Sequence, residues 1–122
     1  MKIDAQQLAD RYAAVWNEPD PVARREAISA LWRPEGVHYV STREARGHAA
    51  LEERVIGSYA KNVRDGGYTF AAVKNAQALP GVITFNWEMI RPATREVVAV
   101  GLEFLQVDGE GRIISDFQFI VS

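Results

Sequence analysis

The stretch YTFAAVKNAQALPGVITFNWEMIRPATREVVAVGLEFLQVDGEGRIISDFQFIV, residues 68–121, decides the fold, because within it the apolar period changes from helical to extended. Turn chemistry at Pro80-Gly81, at Pro92 to Arg95 and at Asp108-Gly109-Glu110-Gly111 cuts it into four strands, predicted over Tyr68–Leu79, Val82–Arg91, Glu96–Val107 and Arg112–Val121. An antiparallel meander is the expected arrangement. Gly101, in mid-strand, is expected to mark a bend of the kind a sheet needs to curl around a cavity.

Upstream of this block the chain reads as helices. Asp4-Ala5-Gln6-Gln7 is a capping box, and Ala5, Leu8, Tyr12, Val15 and Trp16 then share one helical face until Asn17-Glu18-Pro19. Asp20-Pro21 restarts the helix with a cap and a proline at the first position, and Ala23, Ala27, Ile28 and Leu31 form its buried side before Pro34 and Gly36 end it. Gly36 to Val40 reads as a short edge strand followed by a polar loop from Ser41 to Arg46. Gly47 opens a third helix with Leu51, Val55, Tyr59 and Val63 on one face, stopped by Gly66-Gly67. Helices first and strands after imply an α+β class with the helices on one sheet face. Three helices cover one face only, whereas Val97 to Leu105 is apolar on both. Val98, Val100, Leu102 and Phe104 are therefore expected to meet a second copy of the chain in a homodimer, the alternative being a solvated β-branched face.

The 122 residues, 48% of them hydrophobic, suit one domain spanning 1–122. Scattered Lys and Arg and a net charge of 14 − 16 = −2 give no footprint for nucleic acid or an anionic membrane. With no Cys, thiolate nucleophiles, disulfides and thiolate-bound zinc are excluded. No apolar run approaches the about 18 residues of a membrane span. Asp4 and Asp10 break up any secretory leader, so a cytoplasmic location is expected. His48 and Glu52 stand at i, i+4 spacing, but two ligands make no site and no metal is expected. No phosphate loop or serine-hydrolase elbow occurs, and no cofactor is expected.

Five fragments carry a resemblance: Arg11 to Asp20 (RYAAVWNEPD), Leu31 to His38 (LWRPEGVH), Arg46 to Leu51 (RGHAAL), Phe85 to Glu88 (FNWE) and Gly111-Arg112-Ile113. In order and over nearly the whole chain, they resemble the SnoaL-like proteins of the nuclear-transport-factor-2-like, or NTF2-like, superfamily. That resemblance implies a strongly curved antiparallel sheet wrapped by three helices, forming a cone with one pocket for a small apolar molecule. The superfamily includes polyketide cyclases, ketosteroid isomerase, an epoxide hydrolase, a dehydratase and non-catalytic binders, so the fold does not settle the function.

In the isomerase pattern an Asp base works against a Tyr hydroxyl and a protonated Asp. By position Tyr12 resembles the oxyanion Tyr, Glu103 resembles the oxyanion acid, and Val40 stands where the base would be. His38 shares a strand face with Val40 and is expected either to replace the base or to be bonded within the core. Glu103, flanked by Leu102 and Phe104, either finds a partner or has a raised pKa. Asp116 and Gln118 alternate along the last strand; they face inward beside Glu103, or Phe117, Phe119 and Val121 do. Two inward acids would share a proton and split into an acid and a base. Trp16, Val40, Val55, Phe85, Trp87 and Met89, with Gln118, are the expected walls, although such aromatics also serve as plain core. The expected function is a cofactor-free isomerase, cyclase or hydratase acting on a small apolar carbonyl or polyketide-like compound, with Glu103, His38 and Asp116 moving protons and Tyr12 orienting the oxygen. The alternatives are a ligand binder of the same fold and a dimeric interaction module.

Overall fold

The computed structural model describes residues 3–122. Asp4 caps α1 (Ala5–Val15) by accepting from the Gln7 amide at 3.0 Å, and Asp20 caps α2 (Pro21–Leu31) by accepting from the Ala23 amide at 3.0 Å. The chain continues through β1 (Trp32–Val40), β2 (Arg43–Arg46), α3 (His48–Ser58), a π-helical segment (Tyr59–Asp65), β3 (Thr69–Ala72), β4 (Gln77–Leu79), β5 (Val82–Arg91), β6 (Glu96–Val107) and β7 (Ile113–Ile120). No helix among the described residues is long and apolar enough to cross a membrane.

Three helices and a mixed sheet make the architecture α+β, with the strands in the order β2-β1-β7-β6-β5-β3 and β4 beside β5. The sheet is therefore not a simple meander. β5, β6 and β7 are antiparallel neighbours as expected, but β1 joins β7 in parallel, with Val37 opposite Ser115 and Val40 opposite Gln118. Nor is β1 an edge: the expected polar loop supplies β2, which covers its other side from Val37–Arg46 to Val40–Arg43. The first expected long strand is broken between β3 and β4. There Lys74 bonds Asp10, the Ala76 amide donates to Gln6, and Asn75 and Asn86 bond each other. These side-chain bonds take the place of ladder bonds.

Helix α2 also departs from expectation. Ala23 and Ala27 are only half-buried, whereas Arg24 is buried, its guanidinium donating to the Glu18 carbonyl at 2.7 and 3.2 Å and lying over the Tyr59 ring. This pins the α1–α2 corner to the end of α3. The third helix widens into π turns before Gly67, at φ +75°, stops it.

The core lies between helices and sheet, where Leu8, Tyr12, Ile28, Leu31, Trp32, Leu51 and Val55 meet Ile83, Phe85, Leu105 and Ile113. On the other face Phe104, Phe119 and Val121 are exposed, with Phe117 stacked on Tyr39 at 5.2 Å. The face of β7 left open by alternation is thereby assigned. Register puts Phe117 and Phe119 opposite Phe104 and Leu102 on the outer side, and Asp116 and Gln118 on the inner side.

Candidate active site

Strand register builds the site. Across the inner face one row runs Ile83, Leu105, Asp116, His38, and the next runs Phe85, Glu103, Gln118, Val40. Three polar groups with ionisable side chains thus meet under α1, and His38, Glu103 and Asp116 are at most 1% exposed. Tyr12 reaches down from α1 between the rings of Trp16, Trp32 and Phe85, and its hydroxyl donates to Asp116 Oδ2 at 2.7 Å. Trp87 Nε1 donates to Glu103 Oε1 at 2.8 Å. His38 Nε2 lies 3.1 Å from Gln118 Oε1 and 3.7 Å from Asp116 Oδ2, so with the amide oxygen accepting, the imidazole proton sits on Nε2.

Burial, and then the charge of Asp116, pushes the Glu103 carboxyl well above the ordinary carboxylate range, against a smaller downward pull from the Trp87 N–H. The Tyr12 hydroxyl is likewise raised, first by burial and then by Asp116 and Glu103. Glu103 Oε2 and Asp116 Oδ1 are both buried without a hydrogen-bond partner. A proton held by Glu103 would supply the donor that these two oxygens lack.

Among the described residues, His38, Glu103 and Asp116 form the one group of three with metal-ligand atoms within 4.8 Å of one another. His38 Nε2 and Asp116 Oδ2 stand 3.7 Å apart. In addition, Tyr12 O–H and Trp87 N–H point donors at the two acids. That donor set suits protons and anionic oxygen better than a cation.

A cavity of about 190 Å³ opens beside this cluster, lined by Tyr12, Trp16, Trp87, Met89 and Gln118 together with Arg54, Ser58, Asn62, Phe70 and neighbouring small and aliphatic residues. Of the expected walls, Trp16, Trp87, Met89 and Gln118 line it. Val40, Val55 and Phe85 are buried elsewhere in the core. Of the expected catalytic residues Tyr12, expected to orient the substrate oxygen, reaches the cavity; Glu103 and His38, expected to move protons, lie behind it with Asp116, outside the lining. Gln118 accepts from His38 through Oε1, so its amide N–H2 is available to a ligand.

Sequence reasoning missed Arg54, Ser58 and Asn62. The signal was present, because Arg54 lies three residues after Leu51 and four before Ser58, both buried on the inward stripe of α3.

No protein-family model matches the chain, and no curated protein does. Solved structures do. A SnoaL-like family protein of Agrobacterium tumefaciens, provisionally assigned as an isomerase, is similar at 23% identity with a TM-score of 0.83, over 97% of each chain. A protein of Sinorhizobium meliloti provisionally assigned as a polyketide cyclase is similar at 11% identity and TM-score 0.63, over 96% of this chain and 100% of that one. A SnoaL-like protein of unknown function from Burkholderia thailandensis is similar at 12% identity and TM-score 0.68, over 99% and 100%. The chain has the fold of SnoaL-like and NTF2-like proteins, and at these identities the likeness carries the fold and not the activity.

Proposed function

We propose that the chain is a cofactor-independent isomerase or cyclase for a small apolar carbonyl compound bound in the 190 Å³ cavity. The observation that carries this reading is the 2.7 Å bond from Tyr12 to Asp116, which links the cavity wall to a buried acid pair in which Glu103 is pushed well above the ordinary carboxylate range. The substrate oxygen accepts from the Gln118 amide and from Tyr12 O–H once that hydroxyl turns from Asp116 Oδ2, the Glu103 proton moving to Asp116 so that Asp116 donates to the Tyr12 oxygen in its place. As the carbon-bound proton leaves to solvent water and negative charge develops on that oxygen, the Tyr12 proton passes to it and a proton from the Glu103–Asp116 pair returns to Tyr12. His38 acts through Gln118, as a positioning residue, by fixing which end of the amide faces the ligand.

The test is hydrogen–deuterium exchange at carbon, followed by NMR in D2O with a panel of one-ring enones and 1,3-diketones. Wild-type protein is expected to accelerate exchange, and Tyr12→Phe to reduce the acceleration by about 100-fold, as loss of one oxyanion donor does elsewhere. Binding without exchange across the panel supports the second reading, a ligand-binding protein in which no bond changes. One observation favours that reading: among the described lining residues there is no carboxylate or imidazole to remove a proton from carbon.

A homodimer through the outer sheet face belongs to the same proposal. It is supported by the continuity of Leu102, Phe104, Phe117 and Phe119, which pair across β6 and β7 on the side away from the helices. Phe104→Asp is expected to turn a dimer into a monomer in sedimentation at micromolar protein. A monomeric wild type would remove the idea.

A further inference from the structure

Arg54 projects from the stripe that α3 turns toward the sheet, and it lines the cavity. Its guanidinium carbon is 5.2 Å from the centroid of the Trp16 ring, and its Nε hydrogen is buried with no acceptor. Among the described residues Arg54 forms no ion pair. The contrast with Arg24 is direct, because that buried guanidinium is satisfied by backbone carbonyls. Trp16 attracts the charge through its ring face but offers no acceptor. Burial first, then the nearby Arg43, holds Arg54 below the ordinary guanidinium range, and the more distant pull of Tyr12, Glu103 and Asp116 does not make this up. A bound anion would relieve both penalties.

We propose that the cavity takes a carboxylate-bearing molecule, a small apolar keto acid, with its carboxylate paired to Arg54, its body between Trp16, Phe70, Trp87 and Met89, and its oxo group toward Tyr12 and Gln118. This rests on the reading of the cavity as the binding site. The planar guanidinium matches a carboxylate edge to edge. Ser58 and Asn62, which follow Arg54 at i+4 and i+8 and bond each other at 3.2 Å, place further polar groups beside that anion. A phosphate fits less well, since its second charge would find no second cation on the cavity wall. Size narrows the class as well. An apolar cavity of about 150 Å³ holds a benzene ring, so 190 Å³ holds one ring or a short branched chain with its polar ends. A polycyclic polyketide would have to extend out through the mouth.

Calorimetry with phenylacetate and phenylacetamide, two probes of the same shape and different charge, tests the assignment. Wild-type protein is expected to bind phenylacetate at least about tenfold tighter, with the preference shrinking as salt rises. Arg54→Gln is expected to cut the preference to less than about twofold, chiefly through lost phenylacetate affinity, and Arg54→Lys to keep part of it. Equal affinities in the wild type, a preference that survives Arg54→Gln, or no binding of either probe would overturn the proposal. Carbon exchange on the diketone panel without an anion preference sinks this inference and leaves the enzymatic reading standing. An anion preference without exchange does the reverse.

Discussion

Gly101→Ala is expected to lower the unfolding free energy by about 3–5 kcal/mol, a large part of the stability of a domain this size. Gly101 faces Trp87 across β5 and β6, and the indole lies over it so closely that an added Cβ would sit 2.0 Å from Trp87 Cε2 and 2.5 Å from Nε1. No rotation of a flexible tip can clear that overlap, because the ring itself occupies the space. The indole must move, and when it moves Glu103 Oε1 loses its 2.8 Å donor. Overpacking and an unsatisfied buried acid therefore arise from one methyl group. Denaturant unfolding measures the loss, and Gly109→Ala is the control, since nothing lies within 4 Å of a Cβ added there. A change below about 1 kcal/mol for Gly101→Ala would mean that Trp87 is not fixed by this glycine.

The role of Gly101 shows how a local sequence signal can leave out its tertiary reason. Glycine in mid-strand was legible as unusual, but what it serves is the seating of Trp87, a partner set by strand pairing and invisible in the local sequence. The spans Val82–Arg91 and Glu96–Val107 were readable because turn residues bracket them and both pairings are local. The parallel pairing of β1 with β7 was not. It joins His38 to Asp116 across most of the chain, and nothing in alternation specifies a distant parallel partner. That pairing is also what brings His38 to the site, so the candidate cluster depends on the least legible contact in the fold. The facing of Asp116 was open for a related reason: β7 is apolar on one face and mixed on the other, and its register shifts opposite Gln106 and Val107. Tertiary contact with Tyr12 accompanies the choice. Arg54 escaped notice because a single charge on a helix reads as solvated unless its neighbours at i−3 and i+4 are weighed.

Glu103→Gln is expected to separate the structural from the chemical use of the buried proton, with opposite signs for stability and activity. In the wild type the folded acid is raised above its unfolded value of about 4.3. Below that value both states carry the proton and the stability it confers is complete. As pH rises past it, the unfolded chain releases the proton while the fold retains it, so stability falls, by up to about 1.4 kcal/mol per pH unit, until the folded group ionises as well. Tyr12, Trp87 and Asp116 are the groups that face this carboxyl, and Tyr12 stays protonated through the whole interval. An amide at this position imitates the protonated acid: its oxygen still accepts from Trp87 and its N–H2 can donate to Asp116. The variant should therefore lose most of the slope between about pH 5 and 8 and be more stable than wild type at pH 8, by about 1–2 kcal/mol. Melts at several pH values check this, and an unchanged slope would place the proton elsewhere. Activity should move the other way. An amide cannot release the proton that refills Tyr12 through Asp116, so carbon exchange is expected to fall by up to about 100-fold, the loss expected for Tyr12→Phe, with ligand affinity kept. Stability gained without activity lost would make the Glu103 proton a structural feature of the pocket floor and leave Tyr12 and Gln118 as orienting groups for a ligand that does not react.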